Sequence, residues 1–161
     1  MIMETAAATM TTSSHAELTI VREILVCFGS DHDLADARRR TRLVAEQLGF
    51  TPTNVAMIVA AASELLQNTV KFAGKGKASI REVSGSNGRG IQITVSDNGP
   101  GIPDVNQAMR EGFSTTRSLG LGLPGCRKIM DDFEIESTVG KGTIIRMAKW
   151  IRGRGSSGPG T

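Results

Sequence analysis

"TPTNVAMIVAAASELLQNTVKFAGKGK", residues 51–77, is the stretch on which the fold turns. Thr51 offers a hydroxyl to cap a helix, and Pro52 suits the first helical position, where its missing N–H costs nothing. Val55, Ile58, Val59, Ala62, Leu65, Leu66, Thr69 and Val70 then recur at helical spacing as a broad apolar band, and Gly74 ends the run. On another face of the same helix stand Glu64, Asn68 and Lys71, at i, i+4 and i+7. Small Ala60 and Ala61 leave room beside them.

Upstream, "ELTIVREILVCF" (17–28) is rich in β-branched and apolar residues and predicts a strand. "SDHDLADARRRTRLVAEQLGF" (30–50) places Leu34, Ala37, Thr41, Val44, Ala45 and Leu48 on one helical stripe, with Ser30 or Asp31 to cap it and Gly49 to stop it. Arg38, Arg39 and Arg42 fall on the opposite side, either as a solvated face or as a docking patch. Downstream, "KASIREV" (77–83) and "GIQITVSD" (90–97) read as strands joined by a turn carrying Asn-Gly. A short helix over 105–111 and a helix after the Gly-Leu stretch follow. "FEIEST" (133–138) and "GTIIRMAKW" (142–150) form a last hairpin with Gly140 and Gly142 in its turn. The pattern predicts an α/β (α+β) two-layer sandwich, with a mixed, mostly antiparallel sheet covered on one face by helices.

The 161 residues suit one domain, placed over 17–151, between a disordered leader (1–16) and a Gly/Ser/Pro-rich disordered tail (152–161). Nineteen cations against sixteen anions lean only slightly toward an acidic partner. An aromatic content of 4%, without a stacking platform or dense basic stripe, argues against nucleic acid. No run resembles a signal peptide or a membrane span, so a cytoplasmic protein with no membrane partner is expected. Cys27, Cys126, His15 and His32 lack metal-ligand spacing. The cysteines read as reduced, small core or helix-start residues, and Trp150 as packing for the last strand.

Three motifs carry chemistry. The Glu64–Asn68–Lys71 row is either plain surface polarity or a general base, a hard-cation ligand and a phosphate clamp together. "SDNGPGIPD" (96–104) puts Asp97 at a strand end ahead of Gly99 and Gly101. That is either a tight turn or a carboxylate beside bare backbone that a flat ligand can approach. "LGLGLPG" (119–125) precedes a helix, as a structural cap or as an anion site made of free N–H groups. It is neither a Walker A loop nor a dinucleotide fingerprint, because neither the Gly-Lys-Ser/Thr run nor a directly preceding strand is present.

In this order the motifs resemble the Bergerat-fold (GHKL) ATPases, the superfamily of DNA gyrase, histidine kinases and MutL. "ELLQN" (64–68) is similar to the family's N box, "DNGPG" (97–101) and "GLGL" (120–123) to its glycine boxes, and "GKGT" (140–143) to its last Gly-Thr element. "KFAGKGK", "GFSTT", "GLGLPG", "DFEIES", "VGKGT" and "KW" extend the likeness, over about residues 21–150, to RsbT-like stressosome serine/threonine kinases, relatives of anti-sigma-factor kinases.

The resemblance implies ATP and Mg²⁺ as cofactors. Asp97 would accept from the adenine amino group, with Gly99, Gly101, Ile102 and Thr143 around the base. Asn68 would ligate Mg²⁺, and Lys71 would add charge. Gly120, Leu121, Gly122 and Leu123 would offer N–H groups to phosphate, beneath a lid containing Thr115, Thr116 and Arg117. Glu64 would take the proton of the incoming hydroxyl. The run Thr116-Arg117-Ser118 departs from the small residues expected there, so Arg117 either touches the γ-phosphate or faces water. Implied partners are STAS-domain proteins, as stressosome scaffold and antagonist, and a PP2C-type phosphatase switched on by the released kinase. An ATP-bound anti-sigma factor that captures a sigma factor, or a non-catalytic partner-switching module, is the alternative.

Overall fold

The structure, a computed structural model, describes residues 8–11, 17–110 and 121–152. Strand β1 spans Ala8–Thr11 and β2 Thr19–Phe28; helices α1 (Asp31–Leu48) and α2 (Pro52–Ala73) follow. Strands β3 (Gly76–Gly85) and β4 (Gly88–Asp97) come next, then α3 (Val105–Ala108), α4 (Gly122–Ile129), β5 (Asp132–Thr138) and β6 (Gly142–Trp150).

Local signals set the helix ends. Ser30 and Asp33 form a reciprocal capping box at the start of α1, and Gly49 closes it in a left-handed conformation with φ 92°. Thr51 Oγ1 accepts the Asn54 N–H ahead of Pro52, so α2 begins where its cap and proline direct. The β3–β4 turn uses Ser86 and Asn87, between paired Gly85 and Gly88, and Gly88 takes φ 95°. The expected helix over 105–111 is described only as Val105–Ala108; Glu111 lies outside the described residues.

The sheet runs β1-β5-β6-β4-β3-β2. The expectation of a mixed sheet is corrected: every strand pairing among the described residues is antiparallel. The reason is topological. Two helical passes, α1 and α2, return the chain to the end of the sheet it left, so β3 runs against β2. The single helix α4 carries the chain back the other way, so β5 runs parallel to β4. Strand β6 then inserts between them, and no parallel pair touches. Residues 8–11, within the stretch read as a leader, form edge strand β1 against β5.

One face of this sheet is buried beneath the helices. Ile80, Ile91, Ile93, Phe133, Ile135 and Met147 meet Val44, Ile58, Leu65 and Leu66 in one continuous core. On the other face Leu25 is 71% and Ile144 43% exposed. There Glu23 accepts from Ser79 Oγ at 2.8 Å and Arg81 Nε at 3.1 Å, which holds its carboxyl below the usual range. Cys27, expected as a core or helix-start residue, is instead exposed. It falls between inward Val26 and Phe28, so the strand period turns it outward.

Candidate functional site

The site forms where β4 and β6 end beside the second half of α2. Asp97 and Thr143 are cross-strand partners there, and Thr143 also faces Ser137 on β5. Asp97 is half-buried, and its Oδ1 accepts the Gly99 N–H at 2.8 Å. That bond curls residues 98–101 back over the strand end.

Glycine is required in this loop by contact. A Cβ on Gly99 would lie 2.5 Å from Ala73 Cβ, in the last turn of α2. Gly101, at φ 77°, would drive one into the Thr138 carbonyl oxygen. Gly140 N–H donates to Pro100 O at 2.9 Å, and Ile102 N–H to Ser137 Oγ at 2.7 Å. The loop is thereby clamped between α2 and the β5–β6 turn. Gly142, at φ 137°, would place a Cβ against the Asp97 carbonyl oxygen. These bare positions keep three chain segments in backbone contact around Asp97.

On α2 the polar row divides by depth. Glu64 is 2% exposed, and its Oε1 has no hydrogen-bond partner among the described residues. Leaving a buried polar group unpaired costs about 1–3 kcal/mol. Asn68 is half-buried, and Lys71 is exposed with Nζ 5.1 Å from the centre of the Phe72 ring. Phe72, part of "KFAGKGK" above, is 65% exposed in the last turn of α2.

Helix α4 begins at Gly122, with Leu121 as its N-cap residue, and no side chain caps that end. Pro124 therefore lies within the first turn. Buried Leu123 and Cys126 face inward, and the Cys126 thiol donates to Ala61 O at 3.6 Å, one turn before Glu64. Burial, and then the neighbouring Glu64 charge, push the thiol up to about 12. Its position near a helix start therefore does not activate it.

Glu64, Asn68, Lys71, Asp97, Gly99, Gly101, Ile102, Leu121, Gly122, Leu123 and Thr143 are all described, on α2, the β4 loop, α4 and β6. Thr115, Thr116, Arg117 and Gly120 lie outside the described residues. Ser137, buried at 3% and hydrogen-bonded to two of these elements, was not singled out by sequence. No group of three or more His, Cys, Asp or Glu able to hold a metal occurs among the described residues, and none of their helices is long and apolar enough to cross a membrane.

The model of the histidine kinase-like ATPase domain matches residues 30–149. The chain is 43% identical over 123 residues, 76% of its length, to the serine/threonine-protein kinase RsbT of Bacillus subtilis, covering 92% of that protein. It is 36% identical over 119 residues to an anti-sigma F factor of Thermoanaerobacter sp., with 71% of this chain and 83% of that one aligned. An anti-sigma F factor of Caldanaerobacter subterraneus is 37% identical over the same length and the same shares.

Proposed function

The chain belongs to the histidine kinase-like ATPase family, and within it to the RsbT-type serine/threonine kinases, and from that premise we propose that it transfers the γ-phosphate of ATP to a serine or threonine of a STAS-domain protein in the cytoplasm. By partner switching it then activates a PP2C-type phosphatase. One observation carries the proposal: the buried, unpartnered carboxylate of Glu64 lies on the helix whose last turn packs against the Asp97 loop. Nine residues of helix separate Glu64 from Ala73, about 14 Å of rise. That span suits an extended nucleoside triphosphate, with its base at Asp97 and its terminal phosphate near Glu64.

In this reading Asp97 uses Oδ1 to hold Gly99 and offers Oδ2 to the adenine amino group. Gly101, Ile102 and Thr143 line the base. The first turn of α4, with Leu121, Gly122 and Leu123, presents N–H groups to phosphate oxygens, and Gly120, Thr115, Thr116 and Arg117 complete the lid. Lys71 adds a point charge. Mg²⁺ supplies charge neutralisation on the phosphates. The amide oxygen of Asn68 would be the chain's donor toward it. Glu64 accepts the proton of the incoming hydroxyl as its oxygen attacks, and position and fixed charge provide most of the acceleration.

The test is transfer of labelled γ-phosphate to a STAS-domain protein. In Glu64→Gln we expect transfer to fall at least about 100-fold, the lower end of a general base's contribution, with ATP affinity kept. Transfer at the wild-type rate would remove Glu64 as the base. The likeness to anti-sigma F factors supports a second reading, ATP-dependent capture of a sigma factor. Pull-down against sigma factor, STAS protein and phosphatase separates the two.

A further inference from the structure

Cys126 stands one residue beyond the Gly-Leu run, and it makes a contact that ties the helix opened by that run to α2. Its side chain is 0% exposed, and its thiol donates to Ala61 O at 3.6 Å, within the longer reach of a sulfur donor. Ala61 is equally buried, and its small side chain lets the two backbones close on each other. A carbonyl oxygen has two lone pairs, so Ala61 O can serve α2 and still take the thiol.

The contact has a meaningful neighbour on each helix. On α4, Cys126 comes four residues after Gly122, one turn in from a start that no side chain caps. On α2, Ala61 lies three residues before Glu64, so the two share a face, with Asn68 a further turn along. Glu64 is 2% exposed, and its Oε1 has no partner among the described residues. Burial, and after it the charge of Glu64, push the thiol up to about 12, so the carboxylate is felt at the contact itself.

We propose that Cys126 is a positioning residue for phosphoryl transfer: through Ala61 it sets the gap between the first turn of α4 and the Glu64 carboxylate. This rests on the reading of that turn as a phosphate cradle and of Glu64 as the base. Glu64 is fixed on a helix of 22 residues, whereas α4 has eight and buries Leu123 and Cys126. Added bulk at the contact therefore displaces α4 rather than α2. A triphosphate held by the cradle follows it; the carboxylate does not. Misplacement of reacting groups by about 1 Å costs up to about 100-fold in rate, so the chemical step feels the shift before binding does.

The experiment follows transfer of labelled γ-phosphate to a STAS-domain protein, with kcat and KM for ATP, and Kd for ATP by calorimetry. It compares wild type, Cys126→Val, Ala61→Val, Glu64→Gln and the Cys126→Val, Glu64→Gln double variant. In Cys126→Val kcat falls about tenfold, while KM and Kd for ATP stay within about threefold. Ala61→Val adds bulk from the other side of the same contact, gives the same split, and keeps the test alive if the cysteine variant does not fold. The double variant transfers within about twofold of Glu64→Gln alone, because without the base its distance no longer counts. Equal losses of kcat and ATP affinity, which loosened packing would give, overturn the assignment. So does a loss that persists undiminished in the Glu64→Gln background, or wild-type kcat in both valine variants while Glu64→Gln is slow, and there the base itself stands. Wild-type transfer in Glu64→Gln overturns the base reading and the inference with it.

Discussion

Strands β4 and β6 pair from Gly90↔Trp150 to Asp97↔Thr143, and the two ends of this one ladder are finished in opposite ways. Both rely on a glycine for close approach. A Cβ on Gly90 would sit 2.7 Å from the Trp150 ring, and one on Gly142 would strike the Asp97 carbonyl oxygen. At the Trp150 end the hydrogen bonds close on the chain itself. The Trp150 backbone N–H donates to Asp131 and its indole N–H to Asp132, both at 2.8 Å, and Lys149 Nζ donates to Ile129 O at 2.8 Å. A cleft of about 280 Å³ opens there all the same, lined in part by Phe50, Asn54, Asp131 and Lys149. At the Asp97 end the loop after β4 closes on the last turn of α2, and further back along that helix the buried carboxylate Glu64 keeps an oxygen with no partner among the described residues. The hollow space and the unpaired carboxylate therefore lie in different parts of the molecule.

The comparison breaks most sharply at Gly142. In Gly142→Ala, strain at φ 137° and the clash with Asp97 must be relieved by moving the strand ends to which the proposed site assigns the base. We expect ATP affinity to fall at least about 100-fold, some 2.7 kcal/mol, by calorimetry. Unchanged affinity would show that the ladder end does not shape the pocket. Trp150→Ala tests the opposite end: unfolding in denaturant should show a loss of about 3 kcal/mol, with ATP affinity within about twofold of wild type. A parallel loss of affinity would mean that the two ends are not independent.

The smallest effect is expected at Ser30, which caps α1 near the Asp97 end without joining the site. Ser30→Ala should cost about 1 kcal/mol of stability and leave nucleotide binding alone. Its pH dependence has a fixed sign. The Ser30 side chain, and then the Gly29 N–H, hold the Asp33 carboxyl below its usual 3.8. The depressed group stabilises the fold above that value and loses its effect as pH falls through the lower folded value. The gap in stability between wild type and Ser30→Ala should therefore narrow only below about pH 4, in urea melts taken across that window.

The same division explains what could be read from sequence. Both long helices were legible, because Ser30, Thr51, Pro52 and the two terminating glycines act within a turn or two of where they stand. The hairpins were legible for the same reason. The insertion of β6 between β4 and β5, and the pairing of β1 with β5, depend on partners far along the chain, and "ATMT" has no periodicity to announce a strand. Cys27 turned outward because its face is set by where the helices pack. At the site, Glu64, Asn68, Asp97 and Thr143 belong to ordered motifs and were singled out in advance. Ser137 is one serine in "FEIEST", and its contact with Thr143 arises only when the register places the two opposite each other.

That register also bears on how the pocket survives fluctuation. Asp97 and Thr143 sit on strands with a neighbour on each side, β4 between β3 and β6, and β6 between β4 and β5. In the proposed reading, a base held by them would not be released by a loop swinging away; the interior of the sheet would have to open. Amide exchange around Val95 and Ile145 should therefore report the global unfolding free energy, whereas the first turn of α4, with no side-chain cap, should exchange through far smaller openings. On that expectation, the proposed site lies between a slowly opening strand pair and a more readily opening helix start.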